Sequence, residues 1–421
     1  MLKEGVPRVR SSWPKLRRWV LLAVGVFLST SPSFVDYDST LPLIAITAAL
    51  GLLLGGRQLV SILRTSTISF LPILLMLALM WLSSGWSEEP TATLRSALSF
   101  SLVFLIAMCL VDLRSPVLMI GQLGSVFAVL VVFQAVLVEL FPGVGLVQEA
   151  YEFGAAQGSF LHRNYLAFFL AVAFVVFLAR IDLVGTRRGA FVLLLLLDGW
   201  LVWRAQSQTI IVLLPACIAI YIVARLIASS RAFGKLYLLA CVVLSGLAVG
   251  LVVASSFSDF AADFGRDGTL TGRTSIWAAA APLVEVKPLW GWGWQSVWSP
   301  KDTVYNSVLQ TMQLSIPNAH SGYLDFALQL GYAGVAVMAS AMLVPLLIGL
   351  RQLLSARSSI AAWVLTMSFL LITTNITDTR LTREFGFLVL VIVTCAAVRF
   401  SADSPEREGT AGTTSGLGGR R

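Results

Sequence analysis

Apolar runs recur along almost the whole of this chain, each of roughly 16 to 25 residues and so about long enough to cross a 30 Å hydrocarbon layer as a helix. Twelve can be traced, at about 19–34, 41–56, 67–86, 91–111, 117–141, 165–180, 190–204, 208–228, 235–257, 321–350, 359–375 and 384–400. With 57% of the 421 residues hydrophobic and 12% charged, a water-soluble globule has no surface for them. The pattern predicts an all-α fold, a polytopic membrane helical bundle of about 12 transmembrane helices.

Basic residues set its orientation, because Lys and Arg stay on the cytoplasmic side. With the N-terminus inside, most of the 30 Lys and Arg fall inside too: Lys3 to Arg18, Arg57 and Arg64, Arg114, Arg180 with Arg187 and Arg188, Arg225 with Arg231 and Lys235, Arg351 and Arg357, and those from Arg399 onward. The intervening loop SPSFVDYDST has no basic residue, and SEEP at 87–90 is acidic. Both termini are therefore expected in the cytoplasm. Lipid orientation accounts for the net charge of +8, and no nucleic-acid partner is expected. The N-terminal basic cluster precedes an apolar run as a signal peptide would, but no small-residue cleavage site leads into a soluble domain, so a retained first helix is expected. Cys109, Cys217, Cys241 and Cys395 fall in separate spans, spaced as small apolar residues and not as a disulfide or metal set.

The implied organisation is a basic cytoplasmic N-terminus (1–18), nine spans (19–257), a large extracytoplasmic loop with short helices (258–320), three spans (321–400) and a disordered tail rich in Ser, Gly, Thr and charge (401–421). Long loops in compact proteins are functional or disordered. The 258–320 loop carries Trp277, Trp290, Trp292, Trp294 and Trp298 among turn residues. Indole rings favour the membrane interface, so the loop is expected on the outer leaflet, with sugar stacking as the alternative.

Within that loop, LTGRTSIW sets Arg273 at the start of a helix that Thr271 or Gly272 can cap, with Ile276, Trp277, Ala280 and Val284 on one face and Pro288 ending it. A cation in a first turn opposes the helix dipole. An anion docked there reverses the cost, because unpaired N–H groups and a guanidinium then converge on the same oxygens. Phosphate or diphosphate is the natural guest; a loop ion pair with Asp263 or Asp267 is the alternative.

The two histidines, His162 and His320, both precede a span on the outer side. In IPNAHSGYLDFALQLGYAG, His320 stands before a helix expected from about Ser321, where the dipole disfavours imidazolium and leaves a neutral ring able to act as general base; a capping role is the alternative. His162 lies in GSFLHRNYLAFF with Arg163 and Asn164, a second polar cluster at a membrane entrance. RAQSQT (204–209) forms a tight outer turn, and NITDTRLTRE (375–384) sets Arg380 and Arg383 outside against the orientation bias. An anionic ligand explains that exception for Arg380, while for Arg383 interfacial snorkelling is the favoured account.

Taken in order, LTGRTSIW, PLWGWGWQSVW and NAHSGYLDFALQLGYAG resemble the O-antigen ligase and polysaccharide polymerase superfamily of bacterial membrane glycosyltransferases. Its pattern is a large outer loop opening with T-G-R-x-x-x-W, a P-x-x-G-x-G turn and an H-x-x-x-L-[ED] helix entry; GSFLHRNYLAFF resembles its upstream G-x-F-x-x-x-N-x-x-A segment. The resemblance spans roughly 150 to 390, and LTGRTSIW with AQSQT is closest to the exopolysaccharide polymerase branch. It implies a multi-pass protein of the bacterial cytoplasmic (inner) membrane that transfers a glycan from a polyprenyl diphosphate carrier to an acceptor hydroxyl with inversion, without cofactor or metal. It implies a lipid diphosphate against Arg273 and His320 as the residue that deprotonates or orients the acceptor. It also implies membrane lipids and a glycan or lipid acceptor as partners, with contacts to flippase or chain-length proteins. Gln208 stands where many members carry a second cation, which Arg204 or Arg163 then supplies. Asp325 and Gln329 stand where the family often shows carboxylates. The expected substrate-binding set is therefore Arg163, Asn164, Arg204, Gln208, Asp325 and Arg380, around a catalytic His320 and Arg273.

Polymerase and ligase differ only in the acceptor, a growing glycan against a lipid, wall polymer or protein. A twelve-span transporter is the other class. It calls for related halves and a long central cytoplasmic loop, whereas here the long loop follows the ninth span and lies outside.

Overall fold

The computed structural model describes residues 13–33, 37–148, 152–230, 273–298, 318–355 and 360–400. Regular structure among them is helical: α1 (Trp13–Ser29), α2 (Tyr37–Leu82), α3 (Pro90–Leu110), α4 (Pro116–Leu140), α5 (Arg163–Ala179), α6 (Arg188–Ala205), α7 (Gln208–Ser229), α8 (Arg273–Val286), α9 (Gly322–Ser355), α10 (Ile360–Thr377) and α11 (Glu384–Arg399). Proline opens α3 and α4 at a position whose N–H is unneeded, and Ser115 caps α4 by accepting from Leu118 N at 3.2 Å.

Seven of these helices, α2, α3, α4, α5 with its π-helical extension to Val184, α7, α9 and α10, are long and apolar enough to cross a membrane. The expected twelve become seven by that measure. α1 has 17 residues and α11 has 16, and α6 carries Arg188, Asp198 and Arg204. The expected span at 235–257 lies outside the described residues, as do both chain termini.

α2 merges two of the expected spans. Ser66 breaks it with φ −144° and ψ 24°. Gln58 bonds to Met108 O and Trp81 to Ser101 on α3. A straight helix from 58 to 81 would travel roughly 35 Å, whereas residues 101 and 108 are about 10 Å apart along α3. The helix must therefore fold back on itself. Gly51 and Gly55 let the first limb approach Cys109 and Leu110 closely: a Cβ on Gly55 would lie 2.0 Å from Cys109 O.

Cross-helix contacts sort the helix ends into two sets. One set holds Arg18 against Leu54 O, Asp112 N on Gln122, Arg225 on Asp182 and Gln352 Nε2 on Ala397 O. The other holds Ser33 N on Ser159 O, Ala156 N on Arg204 O, Thr93 on Trp294 O, Gln295 Nε2 on Thr382 O and Gly322 N on Asp378 O. The polar segments picked out from sequence at 162–164, 204–208, 318–325 and 375–384 all belong to this second end.

α9 is broken at Gly331, whose φ of 65° and ψ of −168° only glycine adopts readily. The break frees carbonyls and amides, and PLWGWGW docks into it. Trp292 N and Gly293 N donate to Leu328 O and Gln329 O, while Tyr332 N and Ala333 N donate to Pro288 O and Leu289 O. A Cβ on Gly331 would sit 2.2 Å from Leu289 C. Gly331→Ala should therefore destabilise the fold by about 3 kcal/mol, read as a lower melting temperature in detergent; an unchanged melting curve would contradict this docking.

The tryptophans depart from the interfacial expectation. Trp294 is completely buried, packed on Phe100 and Phe326 with its indole N–H on Ser96 Oγ at 3.0 Å. Trp292 donates to Leu283 O, and Trp290 alone of the five is mostly exposed, at 54%. The described tryptophan-bearing stretch, residues 273–298, is folded into the end of the bundle because its ring N–H groups find fixed acceptors there, which a fluid interface does not supply.

Candidate active site

Trp277 and Trp298 grip the short loop that carries His320. Trp277, one turn into α8, donates to Ala319 O at 3.0 Å, and Trp298 donates to Asp325 Oδ1 at 2.8 Å. Asp325 is buried and accepts Ala319 N through the same oxygen at 3.4 Å. Asn318 Oδ1 accepts His320 N at 2.9 Å, closing a tight turn in which His320 has φ +48°. A left-handed histidine costs about 1 kcal/mol, held here by the surrounding bonds. Asp325, expected on substrate, is thus a buttress of the histidine loop. Gln329 is likewise structural, accepting Gln295 N at 2.7 Å.

The second half of the site is the 375–384 segment. Asn375 Oδ1 accepts both Arg380 N and Leu381 N, turning the chain after α10. Gly322 allows this close approach, since a Cβ there would lie 2.2 Å from Asn375 Oδ1. The turn brings Asp378 to His320: Nδ1 and Oδ1 are 4.0 Å apart. The other Asp378 oxygen accepts Arg380 Nη2 at 2.6 Å. Imidazole, carboxylate and guanidinium thus stand in line, with Asp378 and Arg380 buried and His320 about one-quarter exposed.

Residues 166–339 match a family model described as O-Antigen ligase. The exopolysaccharide production protein ExoQ of Rhizobium meliloti (strain 1021) is 26% identical over 282 residues, 64% of this chain and 63% of that protein. By these matches this chain is similar to the O-antigen ligase and polysaccharide polymerase superfamily. It is a multi-pass membrane protein, and it matches just under two thirds of the length of that relative. The segment shared with the ligase family includes Arg273 and His320; Asp378 and Arg380 come from beyond it and are brought in by the bundle.

Arg273 opens α8, one helical turn before Trp277, so the backbone at 273 and the loop at 320 share one end of the bundle. The side chain of Arg273 and its expected caps and acidic partners lie outside the described residues. Ile276, Ala280 and Val284 are buried along α8 as expected, although the helix ends at Val286, before Pro288.

Of the remaining candidates, Arg163 and Arg204 face carboxylates. His162 caps α5, its Nδ1 accepting Asn164 N at 3.1 Å, and its Nε2 lies 3.4 Å from Glu152. Burial lowers the pKa of His162 below the ordinary histidine value, a shift that nearby Glu152 and Asp378 oppose. Arg163 pairs with Glu152 at 2.7 Å and donates to Gln206 O at 2.6 Å, tying α5 to the 204–208 turn. Arg204 lies 3.5 Å from Glu139, and Gln208 is exposed at the start of α7. Arg383 does not snorkel: it turns inward and donates to the Tyr165 hydroxyl at 3.2 Å. Asp378 and Tyr165 were missed from sequence. The signal for Asp378 was its place two residues before Arg380 in an outer loop, where a buried guanidinium needs a counter-charge.

Proposed function

We propose that this protein is an integral membrane glycosyltransferase that moves a glycan from a polyprenyl diphosphate carrier to an acceptor hydroxyl, as a polysaccharide polymerase, at the outer face of the cytoplasmic membrane. The observation that carries it is His320 held beside Asp378 on a loop that α8, opened by Arg273, grips through Trp277. The imidazole takes the proton of the acceptor hydroxyl as its oxygen attacks the anomeric carbon from the face opposite the leaving group. The diphosphate departs with the bonding electrons toward Arg273 and the N-terminus of α8. Asp378 orients the ring and stabilises its protonated form, as carboxylates do for catalytic histidines. No step in this scheme needs a metal, and the match to the ligase family model, together with the exopolysaccharide role named for the relative, supports the polymer-forming version.

Asp378→Asn tests the positioning role. Polymer synthesis should fall by roughly 10- to 100-fold, and the acid limb of its pH profile should move to lower pH because the protonated ring has lost its carboxylate. A fall in rate with an unmoved profile would leave Asp378 a purely structural residue. The choice between polymerase and ligase is read from the glycan left on the carrier in a deletion strain. A single repeat unit is expected; full-length chains would make the protein a ligase.

A further inference from the structure

His162 takes no part in the transfer step, yet a chain of contacts joins it to the loop that carries His320. It is the N-cap of α5: its Nδ1 accepts Asn164 N at 3.1 Å, and its carbonyl accepts Tyr165 N at 3.0 Å. Nδ1 accepts only when it is unprotonated, so the neutral ring carries its proton on Nε2, toward Glu152 at 3.4 Å. The ring also packs edge-on against Tyr165, with centroids 6.0 Å apart. The Tyr165 hydroxyl accepts Asn318 Nδ2 at 3.3 Å, and Asn318 Oδ1 accepts His320 N at 2.9 Å. The cap of α5 thus stands at the head of a series that ends on His320.

A proton added to the neutral ring goes to Nδ1, the nitrogen that forms the cap. Asn164 N then loses its acceptor, and a positive charge stands in the first turn of α5 against the helix dipole. The charged groups that act on the ring come from three elements. Glu152 on the preceding segment and Asp378 between α10 and α11 favour the imidazolium, whereas Arg163 on α5 and Arg380 beside Asp378 disfavour it. Burial is the largest influence and holds the pKa of His162 below the ordinary histidine value. The cap is therefore complete at neutral pH. Its contribution to stability is fully present above the ordinary value of about 6.5 and is lost as pH falls below that toward the folded-state value.

We infer that His162 is a positioning residue: its neutral form, through α5, Tyr165 and Asn318, sets the loop that carries His320, and its protonation uncaps α5 and disarms the site. This rests on the glycosyl-transfer function proposed above. Acid then acts at two histidines, at the base itself and at the cap that positions it.

His162→Asn separates the cap from the charge, because asparagine is among the best N-caps and does not titrate. Hydrogen exchange is followed on the full chain in detergent, in peptides covering 160–168, and corrected for the intrinsic pH dependence of exchange. In the wild type it should be about tenfold faster at about pH 5 than at about pH 7.5, and in His162→Asn it should be equal at both. Below about pH 6 the logarithm of the polymer-synthesis rate should fall by about two per pH unit in the wild type and by about one in His162→Asn, which keeps only the proton on His320. His162→Ala, uncapped throughout, should exchange fast and transfer slowly at every pH. Wild-type exchange that is equal at both pH values, or an acid limb that stays as steep in His162→Asn, would overturn the inference. The exchange measurement needs no glycosyl transfer. Acid-dependent exchange in the wild type together with a normal glycan ladder in His320→Asn would keep the uncapping of α5 and strike the proposed transferase.

Discussion

Replacing His320 with asparagine is expected to abolish high-molecular-weight glycan while the protein stays folded in the membrane. Asparagine is the informative substitution, because His320 sits at φ +48° and asparagine tolerates that region better than alanine. The backbone bond from position 320 to Asn318 and the grip of Trp277 and Trp298 on the flanking residues do not involve the imidazole. The loop therefore keeps its shape and loses only its base. Loss of general-base catalysis is worth on the order of 100- to 10,000-fold, enough to erase a glycan ladder that needs many successive transfers. A normal ladder in His320→Asn, at matched membrane levels of protein, would remove the imidazole from the mechanism.

The second large effect is expected at Arg273. Arg273→Ala should lower polymer synthesis by about 100- to 1,000-fold, the usual consequence of deleting one preorganised donor aimed at developing negative charge. Arg273→Lys should recover little of it. A guanidinium meets two phosphate oxygens at once, and an ammonium is a point charge on a flexible stem. Stability should change little in either variant, since α8 is anchored by Ile276, Ala280 and Val284 on its buried face and by Trp277. The measurements are the glycan ladder in cells and transfer by the purified enzyme from a lipid-linked donor. Full recovery with lysine would mean that a single positive charge suffices and that the bidentate grip plays no part.

The two halves of the site differed in how far sequence could reach them. Arg273 and His320 are carried by motifs with a local logic: a cation at a helix start and a histidine just before one. Both positions are found at the same end of the bundle, where α8, opened by Arg273, reaches the loop that carries His320 through Trp277. The Asp378 contact has no such local mark. It depends on Asn375 turning the chain back and on Gly322 leaving room for it, across more than fifty residues of sequence. Arg163 and Arg204 stood out as charges at a membrane entrance, yet Glu152 and Glu139 face them. Spacing along a chain cannot show which of several nearby carboxylates a long flexible cation will choose. The tryptophans illustrate the same point: indole chemistry suits an interface or a buried acceptor equally well, and the broken helix α9 supplied the acceptors.

Sequence by itself determined that this is a helical membrane protein with alternating polar ends, and which polar segments belong together. Hydrocarbon leaves the backbone no alternative to helices over long apolar runs, and basic residues mark one side. Only the tertiary structure decided which side chains at that end meet: it folded α2 back at Ser66, broke α9 at Gly331 to receive PLWGWGW, and set Asp378 beside His320. Burial follows from composition. Partnership follows from geometry, because a hydrogen bond or ion pair acts over about 3 to 4 Å and the helices that bring its ends together are distant in sequence.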